Sequence, residues 1–181
     1  SIDHEEKVIY LGTFSKSIAP SLRISYMVLP LHLLKKYQES CSFYSTTVSK
    51  IQQEVLREFI RGGYFGRHLN KMRGIYKNKH DFLVGELKKK NWVENIAGDN
   101  AGLHVLVQVN TTLTEEEICK KAAECGIRLM GIREHYIHTP PEGRPVLLLG
   151  YGKPDEQEIQ KGLEVLESII TGRNSNNCKK P

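Results

Sequence analysis

Two apolar runs near the start of the chain predict neighbouring strands. Residues 8–12 form the first run and residues 24–29 the second, which stops before Pro30, and the polar residues 13–17 predict a loop between them. Both runs are apolar at nearly every position, which is typical of buried strands covered on both faces. Because two strands alone do not form a stable sheet, we expect the rest of this sheet to lie upstream in a longer protein.

Helical periodicity replaces this pattern further along the chain. Residues 31–37 predict a short helix, apolar residues 51–60 predict a second that ends at Gly62, and residues 65–89 predict a longer third. The outer face of the third helix is rich in lysine and arginine, which is typical of a solvated surface. A basic nucleic-acid-binding module stays open as an alternative, although no DNA-binding motif accompanies this face.

Strands and helices alternate from Trp92 onward. Strands are predicted over residues 103–109, 127–130 and 146–150. Thr114 with Glu117, and Asp155 with Glu158, have the spacing of capping boxes, so each pair predicts the start of a helix. This alternation predicts a compact α/β unit.

Composition and charge exclude several classes of protein. The chain has 181 residues and a net charge of +5, and none of its apolar stretches approaches the roughly 20 residues that a membrane span needs. The first residues lack the basic and apolar regions of a secretory signal, so we expect a cytoplasmic protein that does not contact a membrane. Its four cysteines form no Cys-x-x-Cys pair, which argues against a metal site.

The predicted loop after the first strand concentrates reactive side chains. Thr13 and Ser15 supply hydroxyls, Lys16 an amine, and Arg23 a guanidinium seven residues later. Hydroxyl and guanidinium donors suit a phosphate, and an amine among other cations loses its proton readily enough to attack a carbonyl. The set therefore suits a phosphorylated aldehyde, although serine–lysine pairs are common in loops without such a role.

Three stretches in order resemble one known family. Residues 12–30, 59–76 and 101–107 are similar to the lysine loop, a helix entry and a small-domain strand of fold-type I pyridoxal-phosphate (PLP) enzymes, the aspartate aminotransferase superfamily. The spacing most resembles the aminotransferase-like domains of MocR-type, GntR-family transcriptional regulators. The resemblance covers about residues 5 to 171.

The resemblance implies an α/β fold that is the C-terminal portion of a PLP-dependent transferase. Residues 1–45 would be the edge of the PLP-binding large domain and residues 46–91 the connecting helices. Residues 92–171 would form the small α/β domain, and residues 172–181 a disordered tail.

The resemblance also implies roles for individual residues. Lys16 would be the catalytic residue and form the internal aldimine with pyridoxal 5'-phosphate. Thr13, Ser15 and Arg23 would hold the cofactor's phosphate. The hydroxyl-rich residues 45–47 would reach the cofactor of a partner subunit, so a homodimer is expected.

Substrate or effector binding is assigned to the second half of the chain. The resemblance places His104 on the substrate side of the pocket, although a strand histidine is as often packed as functional. Arg133 is the preferred partner for a substrate carboxylate, with Arg128 and Arg144 as the other candidates. Many aminotransferases carry this arginine in the strand before the last helix, whereas residues 146–152 here contain none.

The function expected from the resemblance is that of an effector domain. PLP, alone or with an amino compound, would shift a conformational equilibrium that an upstream DNA-binding domain senses, without turnover. The alternative is a PLP-dependent aminotransferase acting on amino acids, in which Lys16 would also move a proton as general base. The ring-nitrogen partner and stacking aromatic of this superfamily lie upstream of the present residues.

Overall fold

A computed structural model describes residue 3 and residues 5–98, 102–138 and 142–173. The chain divides into two compact units, Ser1–Arg73 and Gly74–Pro181. The predicted boundaries at residues 45, 91 and 171 remain predictions. Most of the predicted disordered tail, residues 174–181, lies outside the described residues.

The first unit begins with a two-stranded antiparallel sheet. Strand β1 covers Tyr10–Thr13 and strand β2 covers Ser25–Val28, with Gly12 opposite Tyr26. Both predicted strands are therefore confirmed. Leu11 is 77% exposed, and among the described residues no further strand pairs with either of the two. Burial of these strands on both faces stays a prediction for the longer protein.

A short helix occupies the stretch that was predicted to be a loop. Helix α1 spans Phe14–Ser17, and the Thr13 side chain caps it by accepting a hydrogen bond from the Ser15 amide. The loop prediction was wrong, because a threonine at the end of a strand can satisfy a free amide of the following turn. A 3₁₀ turn over Pro20–Leu22 then leads back into β2.

Three longer helices follow, as predicted. Helix α2 covers Leu31–Cys41, four residues beyond its predicted end, and α3 covers Lys50–Arg61. The Ser49 side chain caps α3 at its start. Helix α4 covers Tyr64–Lys88, within one residue of the prediction at each end.

The second unit contains a four-stranded antiparallel sheet. The strands are β3 (Val93–Ala97), β4 (His104–Val109), β5 (Met130–Gly131) and β6 (Val146–Gly150), in the spatial order β3-β4-β6-β5. The prediction missed β3, whose Glu94 and Asn95 interrupt any apolar run. It also overestimated β5, where only the last of the four predicted residues pairs with a neighbouring strand.

Two helices complete this unit and bury its core. Helix α5 covers Glu115–Glu124 and α6 covers Glu156–Thr171, and both predicted capping boxes are present. The core is built from α4, α5, α6 and the inner face of the sheet. Its largest fully buried side chains are Leu87, Val105, Val107, Val109, Ile118 and Leu147.

The described residues contain neither a candidate membrane span nor a candidate metal cluster. None of their helices is both long enough and apolar enough to cross a membrane. No group of three or more histidine, cysteine, aspartate or glutamate side chains in this part of the chain is placed to hold a metal ion.

We predict that Gly74→Ala stabilises the chain by about 0.5–1 kcal/mol. Gly74 lies inside α4, and a β-carbon added there would meet no atom within 4 Å. The substitution therefore improves helix propensity without a clash, and chemical denaturation measures the gain. Gly131→Ala is the matched contrast, because its β-carbon would lie 2.3 Å from the Glu115 carboxylate. We expect Gly131→Ala to lower the free energy of unfolding by about 1–3 kcal/mol. Equal effects of Gly74→Ala and Gly131→Ala on this free energy would contradict the interpretation.

Candidate functional site

The connection between β1 and β2 is closed by hydrogen bonds to one carbonyl. The Phe14 amide donates to the Ile24 carbonyl at 2.9 Å, and the Thr13 hydroxyl donates to the same oxygen at 3.2 Å. The Ser17 hydroxyl donates to the Thr13 carbonyl at 3.2 Å. Ile24 is itself buried. These contacts fix α1 against the start of β2.

The cationic side chains of this connection are exposed. Lys16 lies in the single turn of α1 and Arg23 directly precedes Ile24. Arg23 has a φ of +48°, in the left-handed region that costs a non-glycine residue about 1–2 kcal/mol. Neither side chain forms an ion pair or hydrogen bond with another described residue.

The rings of Phe14, Tyr26 and Phe65 form an aromatic cluster that packs against this connection. A β-carbon on Gly12 would lie 2.3 Å from the Tyr26 ring, so only glycine lets this ring lie across β1. The Phe14 ring is 5.1 Å from the Tyr26 ring and 5.8 Å from that of Phe65. Sequence reasoning missed Tyr26, although a glycine paired with an aromatic residue on the neighbouring strand is a recognisable signal.

The structure thus brings together four of the predicted site residues. Thr13, Ser15 and Lys16 lie within one helical turn, and Arg23 is held beside them through Ile24. The Thr13 hydroxyl already donates its proton to Ile24, whereas the Ser15 hydroxyl bonds to no other described residue. An amine, a free hydroxyl and a guanidinium are the donors that a phosphorylated aldehyde requires, so the residues present fit pyridoxal phosphate.

His104 and Arg133 belong to the second unit. His104 is the exposed first residue of β4, and a β-carbon on the opposite Gly150 would lie 3.1 Å from its ring. This glycine therefore leaves room for the imidazole. The role of His104 toward a substrate stays a prediction.

Arg133 is held by groups of its own unit. Its amide donates to the Glu115 carboxylate at 2.9 Å, and its guanidinium donates to the Gly143 carbonyl and lies 3.8 Å from Glu115. Glu115 is 6% exposed and also accepts from the Val146 amide at 2.9 Å. Sequence reasoning missed this buried carboxylate, since an acidic residue in the first turn of a helix is ordinarily exposed. Binding of a substrate carboxylate by Arg133 stays a prediction.

The other predicted contacts lie on the surface. Arg144 forms an ion pair with Glu94 at 3.2 Å, whereas Arg128 forms none with any described residue. The hydroxyl-rich residues 45–47 lie between α2 and α3, where the Thr46 hydroxyl bonds to the backbone of Val48. Their approach to a partner subunit stays a prediction.

Comparison with known proteins identifies the family. The model of the family described as aminotransferase class I and II matches residues 1–160. The chain belongs to this family. The predicted resemblance to the aminotransferase superfamily is thereby confirmed.

Several relatives in the aminotransferase family are regulators. The HTH-type transcriptional regulator YdeL of Bacillus subtilis is 38% identical over 92% of this chain. The probable rhizopine catabolism regulatory protein MocR of Rhizobium meliloti is 29% identical over 93% of it. The chain spans about a third of the length of these relatives, 36% and 34% respectively.

Solved aminotransferases have the same fold. The multiple substrate aminotransferase of Thermococcus profundus superposes on 94% of this chain with a TM-score of 0.77 and 23% identity, and the chain covers 42% of it. Pyrococcus horikoshii kynurenine aminotransferase superposes on 96% of this chain with a TM-score of 0.74 and 25% identity, and the chain covers 43% of it. These matches confirm the predicted α/β fold as a portion of the aminotransferase fold.

We predict that Glu115→Ala destabilises the second unit by about 2–4 kcal/mol. The substitution leaves the partly buried amides of Arg133 and Val146 without their charged acceptor, and each hydrogen bond to a charged group contributes about 1.5–3 kcal/mol, less where water reaches the donor. Denaturation followed by circular dichroism measures the loss. Glu116→Ala, at the exposed neighbouring position, is the matched control and should change stability by less than about 0.5 kcal/mol. A Glu115 variant as stable as this control would contradict the role given to the carboxylate.

Proposed function

We propose that this chain is the PLP-binding effector portion of a MocR-type, GntR-family transcriptional regulator. The observation that carries the proposal is the 38% identity to an HTH-type regulator along 92% of the chain, against 23% to an aromatic-amino-acid aminotransferase over a similar share. In this proposal DNA is bound by a separate upstream domain of the cytoplasmic full-length protein. That protein acts as a homodimer.

The cofactor proposed for this site is pyridoxal 5'-phosphate. When bound, it supplies an aldehyde that condenses with amines and a ring that withdraws electrons from them. Lys16 would hold the aldehyde end, since its exposed amine is presented on a turn fixed by three hydrogen bonds. Thr13, Ser15 and Arg23 would bind the phosphate, and the hydrogen bonds of Thr13 also keep their backbone in place.

An amino compound is the proposed effector. An effector can shift a conformational equilibrium only by binding one state more tightly than the other. Arriving at Lys16, a primary amine would compete with the lysine for the same aldehyde. His104 and Arg133 are the residues of the second unit proposed to contact the effector.

The strand before the last helix supports a regulator rather than an enzyme. Residues 146–152 have no arginine, and in β6 Leu147 and Leu149 are buried in the core. The match to the family model of aminotransferase class I and II and the 23% identity to an aromatic-amino-acid aminotransferase support the alternative, a PLP-dependent aminotransferase acting on amino acids. In that case Lys16 would also take and return a substrate proton.

We predict that pyridoxal phosphate followed by borohydride labels Lys16. The reagent reduces the bond between an amine and the cofactor's aldehyde, and peptide mass mapping then locates the added mass. Lys16→Ala should abolish the label and leave circular dichroism unchanged. Lys36→Ala, which removes an exposed lysine of α2, is the matched control and should keep it. A principal label on another lysine of the wild-type chain would overturn the cofactor assignment.

We predict that the full-length protein loaded with pyridoxal phosphate does not catalyse repeated transamination. Amino acids and 2-oxo acids in excess should give at most one product per subunit, whereas an amino compound should change DNA affinity at least fivefold, the usual lower range of allosteric coupling. Quantifying the product formed after the reaction is quenched gives the number of turnovers, and fluorescence anisotropy of labelled DNA gives the DNA affinity. Multiple turnovers without any effect on DNA would establish the aminotransferase alternative instead.

A further inference from the structure

A cavity of about 390 Å³ lies wholly within the second unit. It is bounded by α6, the end of β6 and the residues that follow α5, and none of the predicted cofactor-site residues lines it. Its volume falls within the range of roughly 300–1,000 Å³ that is usual for small-molecule sites. Its apolar wall includes Leu83, Leu149, Ile159, Leu163 and Leu166. These five belong to the buried core, so the cavity reaches from the surface to the hydrophobic interior.

A glycine in the middle of α6 keeps the cavity open. Gly162 lines the cavity, and a β-carbon built there would meet no atom within 4 Å. Glycine inside a helix is less favourable than alanine, and no close contact requires it at this position. A larger side chain would project into the empty volume. Gly162 therefore gives a direct way to fill the cavity.

Two exposed cations belong to the lining. Arg128 and Lys153 line the cavity, both are exposed, and neither side chain has an ion-pair or hydrogen-bond partner among the described residues. The Lys153 carbonyl accepts a hydrogen bond from Lys79, which holds this loop against α4. Glu158 is the acidic residue of the lining, and its carboxylate accepts from the Asp155 amide at 2.9 Å in the capping box. An anion with an apolar body would match this lining.

We propose that this cavity binds a medium-chain aliphatic monocarboxylate. The aliphatic chain would lie against Leu149, Ile159 and Leu163, and the carboxylate would accept paired hydrogen bonds from Arg128 with Lys153 nearby. A guanidinium suits a carboxylate because its planar donors match the two oxygens. This site is separate from the proposed cofactor site and does not depend on it, so the two proposals can fail independently.

Three matched ligands test the proposal on the 181-residue chain. Isothermal titration compares octanoate, octanol and octylammonium, which share a chain length and differ in the charge of the end group. We expect octanoate to saturate one site with a Kd of about 1 mM or tighter. Octanol should bind at least tenfold more weakly, since it lacks the charge-assisted hydrogen bonds to Arg128, and octylammonium more weakly still because its charge is repelled by the two cations.

Two variants separate the contribution of the Arg128 charge to binding from that of the cavity volume. Arg128→Gln should weaken octanoate binding at least tenfold and leave octanol unchanged, whereas Gly162→Leu should abolish both by filling the volume. Arg144→Gln removes an exposed arginine outside this lining and should bind octanoate like the wild type. Chemical denaturation checks that each variant is folded. If Gly162→Leu is unfolded, the comparison of octanoate, octanol and octylammonium on the wild-type chain and on Arg128→Gln tests the proposal without it. Equal binding of octanoate and octanol, an unaffected Arg128 variant, or no saturable binding would overturn the proposal.

Discussion

The Ile24 carbonyl is the contact on which the lysine-bearing connection depends. It accepts one hydrogen bond from the Phe14 amide and another from the Thr13 hydroxyl, so one oxygen joins the end of β1 to the start of β2. Because these contacts define where α1 begins, they also determine the position of Lys16 within this helix. The left-handed backbone of Arg23 follows from the same closure, since the chain must turn sharply to bring Ile24 back to Phe14.

A buried carboxylate has the corresponding role in the second unit. Glu115 accepts the amides of Arg133 and Val146, which lie on either side of the loop between β5 and β6. Gly131 leaves space for this carboxylate, which explains why a small residue is needed there. In both units a polar side chain at the start of a helix, Thr13 or Glu115, forms hydrogen bonds with the backbone. These bonds fix the positions of the neighbouring residues that are proposed to bind a ligand.

Local patterns in the sequence predicted most elements but not their partners. The capping boxes at Thr114 and Asp155 are short-range interactions, so their residue types alone indicate where helices begin. The burial of Glu115 and the position of Tyr26 over Gly12 depend on contacts between distant residues, which spacing does not encode. Strand β3 was missed for the same reason, because its pairing with β4 rather than its own composition makes it a strand.

The three candidate arginines show why residue type alone could not assign a carboxylate-binding residue. In the sequence Arg128, Arg133 and Arg144 are equivalent, each a cation near a predicted strand. In the structure Arg133 is held by Glu115 and Arg144 by Glu94, at 3.8 and 3.2 Å. A ligand bound at either would share the guanidinium with this carboxylate, whereas Arg128 has no ion-pair partner among the described residues. The preference for Arg133 stays a prediction, and the partners of each guanidinium are a physical criterion that residue type alone does not supply.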